Sequence, residues 1–230
     1  MLTAVTAAFA GRAPAQPKTF TLESAQGLKL HNVTAEPATL QGKKGVKVTL
    51  APDAEKPPAG VFEVNQLALI EGAEFANGVI EAELAGAPAP GAGGGARGFV
   101  GIAFRVQPDM KTYDAFYLRP TNGRAEDQER RNRSTQYISH PEWTWSRLRK
   151  ETPGRYESYV DLEPGAWTKV KIEVKGDRAR LYVHGSEQPA LLVNDVKSGA
   201  NAKGGVALWV GAGAVGHFRN VKVASDSERR

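Results

Sequence analysis

The chain has no cysteine in its 230 residues. Disulfide staples and thiolate zinc sites are therefore excluded. Their absence does not identify a compartment, because a chain of this length can close a full core without staples. Long apolar runs are also missing. No stretch approaches the ~20 apolar residues that span a bilayer, so no membrane span is expected. Helix-length amphipathic patterning does not occur. Histidine is scarce, with four copies, no His-x-His and no pair at helical spacing. A transition-metal centre thus has no support. There is no dinucleotide fingerprint and no Ser-His-Asp order, so no cofactor is expected. Gly91 to Gly95 is glycine-rich but lacks the lysine and following helix that a phosphate loop requires. No helix-turn-helix, finger or single-strand platform accompanies the basic charge, and nucleic acid is not an expected partner.

What is present describes a folded β protein. The composition is 41% hydrophobic and 24% charged, outside the disordered range. Val46–Leu50, Val79–Leu84, Thr168–Val174 and Ala179–His184 alternate apolar with polar residues. Phe99–Val106 is long and apolar, as a central strand should be. Phe20, Leu28–Val33, Tyr113–Arg119, Val206–Val210 and His217–Val223 add further strand-like segments. Period two places alternate side chains on one packed face. Asn77-Gly78, Asn122-Gly123 and Lys175-Gly176-Asp177 are turns between strands. The reading is an all-β sandwich of antiparallel sheets, one domain over residues 16–230. Ala85 to Gly98 is expected as a low-complexity loop interrupting a hairpin.

The first fifteen residues read differently. Leu2 to Ala10 is a short apolar run followed by Ala13-Pro14-Ala15. That pattern fits the h-region and cleavage site of a signal peptide lacking its positive n-region. It implies a periplasmic or secreted chain. A disordered N-terminus is the alternative.

Several strings resemble the concanavalin A-like, laminin-G-like superfamily of jelly-roll sandwiches. They are Phe75-x-Asn77-Gly78-x-Ile80-Glu81, Phe99 to Arg105, Tyr113-Asp114-x-Phe116-Tyr117-Leu118-Arg119-Pro120 and Trp167-x-Lys169-Val170-Lys171. Gly205, Val206, Leu208 and Trp209, then Phe218-Arg219-Asn220, complete them. The nearest resemblance is to bacterial exported proteins around the 3-keto-disaccharide hydrolase domain, over about Phe20 to Val223. It implies a carbohydrate-active protein, either a glycoside hydrolase or lyase or a non-catalytic carbohydrate-binding or envelope interaction module. Jelly rolls of this kind sometimes hold a structural calcium ion, for which Asp109 and Asp114 are the available carboxylates. The paired-carboxylate motif of glucanases is not matched. Glu81 and Glu83 share one strand face, as carboxylates for acid/base work would, but the pattern fits the solvated face of an outer strand first.

The segment from Tyr113 to Asp161 holds the densest polar and aromatic chemistry. Between Arg119 and Arg155 lie nine basic and five acidic side chains, a local field that favours an anionic partner. The stretch reads as too polar for a core strand and too aromatic for a linker, hence as a long insertion around residues 119–161. His140 is the leading acid/base candidate, since imidazole titrates near neutrality; Asp114, Glu157 and Asp161 are the other catalytic candidates. Arg119, Asn122, Arg124, Tyr137, Trp143, Trp145, Arg147 and Arg149 are the ligand-binding candidates. Aromatic faces stack on sugar rings, and guanidiniums fork onto hydroxyls or carboxylates. If extended, residues 143–149 would present Trp143, Trp145, Arg147 and Arg149 along one face. The expected ligand is a saccharide or another oxygen-rich, acidic group. The same side chains would also suit a loop pinned by its own rings and ion pairs.

Overall fold

A computed structural model describes residues 16–55 and 65–226. The signal-like segment lies outside them. The described chain forms two antiparallel sheets. One runs, edge to edge, as β13 (Leu191–Val193), β12 (Arg178–Val183), β11 (Thr168–Lys175), β6 (Gly78–Pro88), β15 (Ala214–Ser225), β4 (Lys43–Leu50) and β3 (Val33–Leu40), with β1 (Lys18–Phe20) also pairing on β15. The other runs as β10 (Glu157–Ser158), β9 (Thr135–His140), β8 (Tyr113–Leu118), β7 (Val100–Val106), β14 (Gly204–Val210), β5 (Leu67–Phe75) and β2 (Leu28–His31). Two short helices, α1 (Gln128–Arg131) and α2 (Trp145–Glu151), lie between strands of the second sheet.

Alternation explains the packing. In β11, Val170, Ile172 and Val174 are buried while Lys169 and Lys175 are exposed. These three buried residues share one core with Ile102, Phe104, Phe116 and Leu208 of the second sheet. Each such side chain contributes roughly 1.5–3 kcal/mol when fully buried. Strands β7 and β8 are buried along their whole length, so their second face is covered too. At the sheet edges, β10 and β13 are very short, and β3 carries Pro37.

Arg105 is the one fully buried cation of β7. A left-handed backbone (φ 56°) turns it out of the alternation. Its guanidinium donates to the carbonyls of Ala76 at 3.0 Å, Gly199 at 2.8 Å and Gly176 at 2.9 Å. Three turns are thereby tied at one end of the sandwich.

Two sequence expectations are corrected here. Ala85–Gly98 is not a simple loop within a hairpin. Strand β6 continues to Pro88, and β6 and β7 belong to different sheets. The chain passes back so closely that a Cβ on Gly86 would lie 2.2 Å from the Gly98 carbonyl oxygen. Residues 135–140, read as too polar for the core, form the fully buried strand β9. Their polar groups are matched internally. Gln136 accepts from Arg119 and donates to the Tyr137 and Tyr156 carbonyls, and Thr135 donates to Ser158 O. Hydrogen bonding removes most of the desolvation cost that makes such residues rare inside.

Candidate functional site

The outer face of the seven-stranded sheet carries the site. Register aligns one lateral row across all its strands: His31, Leu67, Trp209, Gly101, Tyr117, Gln136 and Glu157. Gly101 stands between Trp209 and Tyr117. Strands two apart lie about 9–10 Å from each other. Yet the Trp209 and Tyr117 rings stack with centroids 4.6 Å apart, at 22°. They lean together over the glycine, which has no Cβ to hold them off. Phe99 meets Tyr117 edge-on at 6.1 Å. Two rows along the same face, past Ala115 and Ile138, His140 stacks on Tyr113 at 5.0 Å, and its Nδ1 lies 3.1 Å from Asn65 Oδ1.

Over this floor opens a cavity of about 570 Å³, within the usual range for small-ligand sites. Its walls come from short local structures. Asp127 caps α1 by accepting from the amides of Glu129 and Arg130, which sets Arg130 and Arg133 at the rim. Thr144 caps α2 through the Arg147 amide. Helical spacing then puts Trp145 and Arg149 on one face, and both line the cavity. The glycine-rich segment before β7 supplies Gly93, Gly95 and Arg97.

The electrostatics are one-sided. Arg97, Arg119, Arg130, Arg133 and Arg149 line the cavity, and none of the described lining residues is acidic. Glu157 sits behind this wall with its side chain only 4% exposed. It meets Arg119 at 3.0 Å, Arg149 at 2.5 Å and Arg133 at 3.9 Å. Arg119 also donates to Tyr117 Oη and Gln136 Oε1, each at 2.9 Å, and its guanidinium lies 5.0 Å from the Tyr117 ring centroid.

The cavity brings together five of the sequence candidates: Arg119, Asn122, His140, Trp145 and Arg149. Glu157 lies just behind them as the countercharge. The others are elsewhere. Asp114 and Tyr137 alternate to the inner face, where Tyr137 Oη donates to Asp114 at 2.6 Å and Ser198 also donates to it. Burial pushes the Asp114 carboxyl above its ordinary range, against those hydrogen bonds and Arg105. It is enclosed within the sandwich, away from any cavity-bound substrate. Arg124 and Asp161 pair at the surface, Arg124 being 57% exposed and also bonded to Glu163. The extended ribbon expected for residues 143–149 is corrected: from Trp145 onward the chain is the helix α2. Arg147 therefore leaves the Trp145 face, bonds Glu142 and Glu151, and lies 3.9 Å from the Trp143 ring centroid. Lys197 lies 4.3 Å from the same centroid, so that ring is occupied by cations of its own chain.

Glu81 and Glu83 belong to the opposite sheet, where Asn220, Arg219 and Lys43 bind Glu83. Asp109 accepts from the Lys111 and Thr112 amides. Among the described residues, no three His, Asp or Glu side chains gather as a metal site. No helix among them is long and apolar enough to cross a membrane.

Sequence reasoning missed Phe99, Tyr117, Trp209 and Arg97 as site residues. Tyr117 does share strand parity with Arg119, a signal that was available.

No family model matches the chain, and no curated protein matches its sequence. Among solved structures it is similar to the carbohydrate binding module CBM66 from Bacillus subtilis. That match has 16% identity, covers 87% of this chain and 96% of the other, and has a TM-score of 0.55. It is also similar to a protein of unknown function with a galectin-like fold from Bacillus subtilis, at 13% identity, 92% and 96% coverage and a TM-score of 0.54. At these identities the likeness is one of fold. Its fold is a jelly-roll sandwich of two antiparallel sheets.

Proposed function

We propose that this chain is a carbohydrate-binding module working outside the cytoplasm, with a sugar unit held in the cavity above Tyr117 and Trp209. One observation carries the reading: an aromatic floor and a half-buried Trp145 meet a wall of hydrogen-bond donors. Apolar ring faces pack on carbohydrate, and guanidinium forks take its oxygens. A glycoside hydrolase needs two carboxyl groups about 5–9.5 Å apart across the scissile bond. The described lining residues supply none, and Glu157 is engaged by three arginines. This weighs against the hydrolase side of the sequence resemblance. The leader-like first residues motivate the extracytoplasmic setting.

One feature favours a second reading, a lyase. His140 lines the cavity, and Asn65 is placed to orient its ring, as suits a proton-transfer group. A screen of polysaccharides for binding by affinity electrophoresis and for turnover by new chain ends separates the two. Binding without turnover is expected. Turnover abolished by His140→Ala would establish the lyase, and no binding to any glycan would overturn both.

A further inference from the structure

Five guanidiniums line the cavity, but their charges are not equally balanced. Arg119, Arg133 and Arg149 share Glu157, and Arg133 also meets Glu129. Arg97 and Arg130 have no carboxylate partner among the described residues. Arg97 donates to the Gly94 and Ala96 carbonyls. Arg130 donates to the Thr121 carbonyl at 3.5 Å. The Thr121 backbone links the two segments, since its N–H donates to the Arg97 carbonyl at 3.3 Å. Burial lowers the Arg97 pKa, and repulsion from Arg130 and Arg119 lowers it further. Two neighbouring cations facing a cavity without a counterion are costly alone, and an anion between them reverses the sign.

A second group narrows the ligand. Asn122 lines the same cavity and is only 4% exposed. Its Nδ2 donates to the Arg133 carbonyl at 3.1 Å, which fixes Oδ1 as the acceptor, and Oδ1 meets no donor. A bare anion would satisfy the guanidiniums and leave this acceptor empty. A ligand that carries an acid group and a hydroxyl donor close together would satisfy both.

We infer that the sugar unit taken by this cavity is a uronic acid, its carboxylate between Arg97 and Arg130 and a ring hydroxyl donating to Asn122 Oδ1. The inference rests on the saccharide reading above. The non-reducing terminal unit of a hexuronan has the required arrangement, its planar carboxylate borne on the ring carbon next to one with a free hydroxyl, and two guanidinium forks match that plane.

The test uses the full chain and fragments of galacturonan, glucuronan and mannuronan, each paired with its carboxyl-reduced neutral counterpart. Calorimetry at low salt should give at least one uronan bound roughly tenfold or more tightly than its reduced form. The preference should shrink as salt rises. Arg97→Gln and Arg130→Gln should each bring uronan affinity toward that of the reduced form while the melting temperature holds. Lys169→Gln, on the far sheet, should leave the preference intact and so exclude a net-charge effect. Equal binding of each pair overturns the uronic-acid inference and leaves the saccharide reading standing. Failure of acidic and neutral glycans alike overturns both. A preference that survives both arginine variants overturns the placement. A sulfated polymer bound more tightly than every uronan overturns the carboxylate class.

Discussion

The guanidinium of Arg149 closes on the carboxylate of Glu157 as a two-pronged fork, with Nη2 2.5 Å from Oε1 and Nε 3.1 Å from Oε2. The fork ties α2 to the edge strand β10. The same carboxylate neutralises Arg119, whose side chain is 6% exposed. Glu157→Gln keeps the volume and removes the charge. It should cost about 3–5 kcal/mol, because a buried cation is left unbalanced. Urea unfolding measures this; a change below about 1 kcal/mol would mean that Arg119 is solvated in place.

Trp145 packs half-buried against the core, with the Arg149 guanidinium 4.6 Å from its ring centroid. Trp145→Ala should weaken glycan binding by roughly 2 kcal/mol, about 30-fold, with little loss of thermal stability. Arg149→Ala should instead lower both, since it also breaks the fork. Calorimetry beside a melting curve distinguishes the pair.

Gly101 should tolerate no side chain. A Cβ there would lie 2.3 Å from the Phe116 carbonyl oxygen and 2.6 Å from Tyr117 Cβ. Gly101→Ala is expected to cost about 3 kcal/mol and to part the Tyr117–Trp209 stack. Near-ultraviolet circular dichroism reports the stack directly. An unchanged spectrum would show that the rings do not depend on the glycine.

Arg105→Lys should destabilise the chain by about 2–3 kcal/mol, although it keeps the charge. One ammonium cannot reach three carbonyls on three separate turns. Denaturant unfolding checks the size, and a neutral outcome would mean that water replaces the missing donors.

Asp109 gives a pH-dependent prediction. The Lys111 amide, more than any other contact, holds its carboxyl below the ordinary range. A depressed folded pKa contributes stability above the unfolded value, about 4, and loses it as pH falls through the folded value. Asp109→Ala should therefore cost about 1 kcal/mol at pH 7, a small amount because solvent screens the site. The gap between variant and parent should close below about pH 4. A gap independent of pH would mean that the carboxylate charge contributes nothing.

Two kinds of strand were legible in the sequence: those with a charged solvent face, and the apolar runs that became β7, β8 and β14. β4, β6, β11 and β12 alternate because one face meets water. β9 has neither a wet face nor an apolar run to mark it, and its polar side chains find partners far away in sequence, among them Arg119, Tyr156, Ser158, Asp114 and Asn65. β5 was missed as well. The basic half of the site was legible because Arg119, Asn122, Trp145 and Arg149 lie in one dense segment. The aromatic floor was not. Trp209 and Tyr117 meet through the register of β14 and β8 on either side of β7, and no local pattern records that register. The parity of β8 puts Asp114 in step with Phe116 and Leu118 and opposite Arg119, a signal that the reading of both as site residues leaves unused. Thr144 had the chemistry of a helix cap, and the ribbon expected for residues 143–149 overlooked it.

The stunted outer strands bear on how copies of the chain meet. Among the described residues, β10 has two residues, β13 three and β2 four. The eight-residue edge strand β3 is interrupted by Pro37, which has no N–H to offer. An incoming strand therefore finds little unpaired backbone to extend. Copies crowded side by side along a polymer would touch through side chains, and such encounters come apart again instead of growing into a continuous ribbon.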